Sequence, residues 1–146
     1  AFTVLTYTLP GMPLIYSGQE AGLDKRLKFF DKDEIHWKKH PAADLYKTLN
    51  FLKRDNPALW NGEFGGTYQR VVNSLENTVM TFFRKKGRNK VMVMVNLTPK
   101  PVEFKLKLFL PNGEFTDINT GEKISFHDTD QYHLKPWGYR IFETGD

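Results

Sequence analysis

Between Val102 and Leu110 apolar and charged positions alternate, with Val102, Phe104, Leu106, Leu108 and Leu110 set against Glu103, Lys105 and Lys107. A period of two predicts a strand with one buried face. Val91 to Leu97 is apolar on both sides, Met92 and Met94 opposing Val91, Val93 and Val95, which predicts a central strand covered twice. Gly66–Val72 and Thr78–Arg84 read as a preceding hairpin pair. Shorter strands are expected at Glu114–Asp117, Lys123–Phe126, Gln131–Leu134 and Tyr139–Phe142, with Asn112-Gly113 and Asn119-Thr120-Gly121 as turns. Eight short strands without an intervening helical pattern predict an antiparallel sandwich or barrel.

The first 57 residues follow other periods. Ala1–Leu9 is apolar and Thr-rich and reads as the end of a buried helix, stopped by Pro10-Gly11. Pro13-Leu14-Ile15-Tyr16 is a short apolar run before Ser17-Gly18, the pattern of a strand buried on both faces. Such a strand needs a neighbour, and no second α/β unit is present to supply one. Asp24–Lys39 reads as a long charged loop. His40-Pro41 then opens a helix whose apolar stripe is Leu45, Leu49 and Leu52. Asp44 lies near its positive end, Lys53 and Arg54 near its negative end, and Asn56-Pro57 stops it.

Composition narrows the chemistry. The chain has 146 residues, 40% hydrophobic and 26% charged, enough for a packed core. It has no cysteine, which excludes disulfides, thiolate metal sites and a Cys nucleophile. The net charge of +4 is spread along the chain, so nucleic acid is not an expected partner. No apolar run is long enough to span a bilayer, so no membrane is expected either. The start lacks the basic region and cleavage site of a secretory leader, and it lacks Met, so a processed or excised piece is expected.

Asp31, Asp33 and Glu34 gather acidic oxygens as calcium requires, but Lys25, Arg26, Lys28 and Lys32 surround them and no Asp-x-Asp-x-Asp-Gly loop exists. A solvated loop is the expectation there. His36, His40, His127 and His133 show no metal spacing. Trp37, Trp60 and Trp137 have faces suited to sugar rings, with packing roles the expectation for Trp60 and Trp137. Asn96-Leu97-Thr98 is a glycosylation sequon placed at the end of a core strand.

The stretch from Leu9 to Glu20 resembles the eighth-strand motif of the alpha-amylase family of glycoside hydrolases. The pattern Gly-x-Pro-x-Ile-Tyr-x-Gly-x-Glu is met at Gly11, Pro13, Ile15, Tyr16, Gly18 and Glu20. Ile35-His36-Trp37, the helix ending Leu52 to Leu59, and Leu134 to Phe142 are similar to later family segments, in the same order. The resemblance implies a mainly β chain: an antiparallel Greek-key-type β-sandwich over residues 58–146, preceded over 1–57 by the last β/α elements of a truncated (β/α)8 barrel. It implies an α-glucan substrate, met through the parent's barrel. It places the family's catalytic carboxylates before Ala1, so no catalytic, metal or cofactor residue is assigned in this stretch, and calcium is left to the parent. Glu20 is expected either to line a pocket or, the favoured reading, to anchor its loop.

The stretch itself is then expected to be non-catalytic, with a structural, barrel-supporting sandwich. The alternatives are a stand-alone carbohydrate-binding β-sandwich module and, more weakly, a small complete enzyme of another type. Phe2, Val4, Leu5, Leu14, Ile15 and Tyr16 are expected to lack cover within this chain. Residues 1–23 should therefore fold back on the sandwich or pair with another copy.

Overall fold

A computed structural model describes residues 1–144. Helix α1 (Phe2–Thr8) is followed by an extended segment, a short helical turn at Gln19–Ala21 and a long loop. Helix α2 (Pro41–Asp55) occupies the predicted positions. His40 caps it, its Nδ1 accepting the Ala42 N–H at 3.2 Å, and Pro41 fills the first turn, where a missing N–H costs nothing.

Among the described residues nine strands follow: β1 (Thr67–Arg70), β2 (Val72–Asn73), β3 (Val79–Lys86), β4 (Asn89–Asn96), β5 (Val102–Leu108), β6 (Phe115–Asp117), β7 (Lys123–Ile124), β8 (Gln131–Leu134) and β9 (Tyr139–Glu143). They form a six-stranded sheet ordered β1-β3-β4-β9-β6-β7 and a three-stranded sheet ordered β2-β5-β8, with every pairing antiparallel. The expected mainly-β antiparallel architecture is present.

One expected strand becomes two. The run predicted at Gly66–Val72 changes sheets at Val71, which is fully buried between them. Thr81 Oγ1 donates to Val71 O at 2.6 Å, and the buried Asn73 Nδ2 donates to Thr81 Oγ1 at 2.9 Å and to Val79 O at 3.0 Å. These bonds satisfy backbone groups that the interrupted ladder would leave orphaned. At its other end, β5 stops at Leu108 instead of Leu110, because Phe109 takes a left-handed conformation (φ 62°). Leu108 is accordingly 58% exposed, outside the buried face its alternation predicted.

Two cores flank the larger sheet. Met92, Met94, Phe83 and Phe142 face Phe104, Leu106, Tyr132 and Leu134 of the smaller sheet, together with Phe115 and Phe126. On the opposite face Phe82, Val91, Val93, Val95 and Ile141 meet Val4, Leu5 and Tyr7 of α1, Leu49 and Leu52 of α2, and the connecting Ala58 and Leu59. Strand β4 is apolar on both sides because a second sheet covers one and helices the other.

This layering corrects two expectations. Val4 and Leu5 are buried at 0% and 9% exposure, covered by α2 and the larger sheet, so only Phe2, Leu14 and Tyr16 of the expected uncovered set are exposed. Pro13–Tyr16 is extended but pairs with no strand among the described residues. Leu14 is 85% exposed, while Ile15 packs partly against the helix-side core.

Candidate functional site

The motif residues lie between α1 and the loop that leads to α2. Gly11 has φ 136° with open space around its α-carbon. Gly18 has φ 94°, and a β-carbon there would come within 3.0–3.1 Å of Ile35 and Leu23, so both conformation and space require glycine. The segment between them is tied down by side chains. Gln19 Oε1 accepts the Tyr16 N–H at 2.9 Å and the Tyr46 hydroxyl at 3.2 Å. The Tyr16 hydroxyl in turn accepts the Leu27 N–H at 3.1 Å.

Glu20 Oε2 accepts the Gly18 N–H at 3.2 Å, so this carboxylate braces its own turn. Pro13 and Ile15 are half-buried and contribute shape rather than polar groups. The six motif residues thus form a rigid bend without a nucleophile or an acid–base pair.

Sequence reasoning missed two cations that hold this bend to the sandwich. Arg84 on β3 is 2% exposed and has no carboxylate partner among the described residues. Its guanidinium donates to Gly66 O at 3.0 and 3.1 Å, to Thr8 O at 3.2 Å and to Trp60 O at 3.2 Å. Lys53 Nζ, from the last turn of α2, donates to Leu59 O at 2.7 Å, Gly11 O at 3.1 Å and Tyr7 O at 3.5 Å. Thr8 and Tyr7 end α1, whose last carbonyls have no partners inside the helix and carry its negative dipole end. Two cations there replace the missing backbone donors. Burial pushes the pKa of both groups down, and for Lys53 the neighbouring Arg84 charge adds to it. The available signal was an arginine at an inward position of an otherwise apolar strand.

The acidic loop residues do not form a cation cage. Asp33 is already occupied by donors: Lys25 Nζ at 2.7 Å, the Glu34 N–H at 2.8 Å and the Lys28 N–H at 3.1 Å. No group of three or more His, Asp or Glu side chains converges among the described residues. The Lys25 and backbone donors pull the Asp33 carboxyl down to about 2. A depressed carboxylate pKa contributes stability above its unfolded value of 3.8 that is lost as pH falls towards 2. Hydrogen exchange at the Lys28 and Glu34 amides should therefore lose protection over that window, while amides remote from Asp33, such as those of β4, keep theirs. Equal loss in both places would remove Asp33 as the cause.

The histidines are dispersed: His40 caps α2, and His133 pairs with Glu103 across β8 and β5 at 2.5 Å. Trp60 Nε1 donates to Arg54 O at the end of α2 at 3.0 Å. The Trp137 ring lies 6.3 Å from Phe2 between centroids. Both indoles thus link the helices to the sheets. Trp37 is 64% exposed. The sequon residue Asn96 is fully buried, and both ends of its amide are bonded.

An open cavity of about 510 Å³ lies on the smaller sheet, lined by Ser74, Glu103, Lys105, Lys107, Asp128 and Gln131 among others. Its one ring, Phe104, is only 2% exposed and presents no face to a ligand. A second groove, of about 570 Å³, is apolar and runs past Phe2, Leu9, Met12, Pro13 and Leu14.

Comparison with known proteins agrees with this anatomy. A branching enzyme for 1,4-alpha-glucan from Prochlorococcus marinus is 30% identical over 108 residues, covering 68% of this chain and 14% of its own length. Alpha-amylase 2 of Dictyoglomus thermophilum is 20% identical over 132 residues, 82% of this chain and 21% of its own. The chain therefore spans only about a seventh to a fifth of these relatives. Among solved structures, a maltogenic alpha-amylase from Thermotoga neapolitana superposes with a TM-score of 0.69 at 14% identity, over 99% of this chain and 33% of that one. An Anoxybacillus alpha-amylase gives 0.70 at 21% identity, over 98% and 32%. Both share the fold. The family profile for the C-terminal domain of maltogenic amylase matches residues 69–141, from β1 into β9. Half of the chain lies within that match, and the protein belongs to the maltogenic amylase C-terminal domain family.

Proposed function

We propose that these residues are the C-terminal part of an alpha-amylase-type enzyme acting on α-glucans. Residues 1–57 are the last elements of its (β/α)8 barrel and residues 58–146 its β-sandwich. Their contribution is structural, closing the barrel and bracing it. The observation that carries this reading is Pro13–Tyr16, an apolar, extended segment held at both ends yet without a strand partner among the described residues, with Leu14 85% exposed. A segment so ordered and so bare is shaped to join a sheet. The low share of each amylase relative that the chain spans supports the same reading.

Catalysis then belongs to carboxylates outside these residues. Retaining glycoside hydrolysis needs two carboxyl groups about 5 Å apart across the bond. Glu20 and Asp33 are committed to backbone donors, and the close acid–base contacts present are ion pairs with Lys, Arg or His. The stand-alone sugar-binding module is disfavoured because the cavity on the exposed sheet offers no accessible ring.

The full reading frame in which these residues lie should release or transfer glucosyl units from starch, while residues 1–146 alone do neither. Reducing-sugar release by the 146-residue chain would overturn the proposal. Expressed alone, the chain should also self-associate through Met12–Tyr16 and elute from gel filtration above its 17.0 kDa mass. A strict monomer would show that this segment does not seek a partner strand.

A further inference from the structure

The loop between the motif and α2 displays the two most solvent-exposed rings near the bend, Phe29 at 83% and Phe30 at 94% exposure. Their centroids are 4.8 Å apart and their planes nearly perpendicular (79°). The turn that carries them is not slack. Asp33 closes it through Lys25 and the Lys28 N–H, and the Tyr16 hydroxyl fixes the Leu27 N–H at its base. A turn held at both flanks presents its tip already ordered, which lowers the entropy cost of binding.

The surroundings of the rings indicate what they meet. Lys28, Asp31 and Lys32 flank them. Surfaces destined for the centre of a protein interface are depleted of charge. The groove at Phe2, Leu9, Met12 and Leu14 has that depleted character, and the Phe29–Phe30 tip does not. Between Asp24 and Glu34 the basic Lys25, Arg26, Lys28 and Lys32 balance the acidic Asp24, Asp31, Asp33 and Glu34. A loop whose charges cancel over residues 24–34, with a single excess positive charge from Lys28, Asp31 and Lys32 at its tip, is only weakly drawn to nucleic acid or anionic lipid. Rings set among hydrogen-bonding groups of both signs suit a neutral polyhydroxyl ligand: the apolar face of a pyranose lies on the ring, and its hydroxyls meet Lys28, Asp31 and Lys32.

We propose that Phe29 and Phe30 form a sugar-contacting platform for an α-glucan chain. This rests on the functional reading above, in which the loop follows the C-terminal end of a barrel strand, the end where barrel sites assemble. In the full reading frame, F29A/F30A should raise KM for long maltooligosaccharides about tenfold. It should weaken retardation on starch-containing native gels by a similar factor and leave Tm unchanged. F64A, at a phenylalanine 66% exposed and outside the loop, should change none of these. An active frame whose KM and gel retardation are untouched by F29A/F30A refutes the platform while leaving the functional reading intact. A frame inactive on every α-glucan refutes both. Loss of folding in F29A/F30A, or binding of the wild-type tip to phosphatidylglycerol vesicles instead of starch, shows a different role and overturns the proposal.

Discussion

Replacing Arg84 with methionine is expected to destabilise the chain by about 3–5 kcal/mol, more than any exposed substitution. The side chain is 2% exposed and donates to carbonyls from three separate segments: Thr8 of α1, Trp60 after α2, and Gly66 before β1. Methionine fills most of the volume but donates nothing. The Thr8 carbonyl then sits buried at a helix end without a partner, at a cost of about 1–3 kcal/mol, and the two other carbonyls lose charge-assisted bonds. Water reaching Gly66 and Trp60, both partly exposed, recovers some of that loss and sets the lower bound.

Lysine at the same position is not a substitute. Arg84 reaches its three carbonyls from three separate nitrogens of a planar guanidinium, whereas a lysine has only one nitrogen to place among them, so R84K should lose about half as much stability as R84M. Urea denaturation of the three proteins measures this directly, since the midpoint shifts while the slope holds if unfolding stays two-state. An R84M chain within about 0.5 kcal/mol of the parent would show that Arg84 does not join α1 to the sheets. The same experiment has a functional side. Arg84 and Lys53 bind the sandwich and α2 to the carbonyls of Tyr7, Thr8 and Gly11, so R84M should also loosen the bend at Gly11–Glu20.

Much of this architecture was legible in the residue pattern because it obeys local rules. Helix α2 carries its stripe, its proline, its cap and its terminal charges within one short stretch, and the structure places it at Pro41–Asp55. Strand β4, apolar on both faces, lies third of six in its sheet. What escaped the pattern depends on contacts distant in sequence. The switch between sheets at Val71 rests on Thr81 and Asn73, and periodicity cannot report a partner eight or ten residues away. Pro13–Tyr16 has the composition of a buried strand, but composition does not supply the neighbour that would make it one. Val4 and Leu5 looked uncovered for the opposite reason. Their cover comes from Leu49, Leu52 and the outer face of the larger sheet, far along the chain. In the candidate site the glycine positions were legible as a motif. The cations that hold them read as ordinary surface charge: the place of Arg84 on the face of Phe82 hinted that it points inward, but its carbonyl partners at Thr8, Trp60 and Gly66 lie far along the chain.

The sequon at Asn96 leads to the second large effect. Asn96 ends β4 and is fully buried. Its Nδ2 donates to Lys100 O at 2.7 Å and Lys135 O at 2.9 Å, and its Oδ1 accepts the Thr98 N–H at 3.0 Å and the Thr98 hydroxyl at 2.8 Å. One amide therefore organises the arch from β4 to β5 and ties it to the arch before β9. N96D keeps the shape but turns a donor into an acceptor, so a buried carboxylate faces two carbonyls. Charge burial and the lost pairings should cost about 3 kcal/mol at neutral pH, and part of that should return as acid protonates the carboxylate and restores a donor. N96A removes the clash and leaves the Thr98 N–H unpaired, while Lys135 O keeps the Gly138 N–H at 2.8 Å and Lys100 O keeps the Thr98 hydroxyl at 3.2 Å, for a loss of about 1–2 kcal/mol. The ordering N96D below N96A at neutral pH, narrowing in mild acid, is the signature of the network and not of lost volume. The same geometry predicts that a chain passed through a glycosylating secretory host carries no glycan at Asn96 once folded, because the amide nitrogen is already committed to two carbonyls. A stable, folded glycoform at Asn96, seen as a mass increment by intact-protein spectrometry, would contradict the buried network, and so would an N96D protein as stable as the parent.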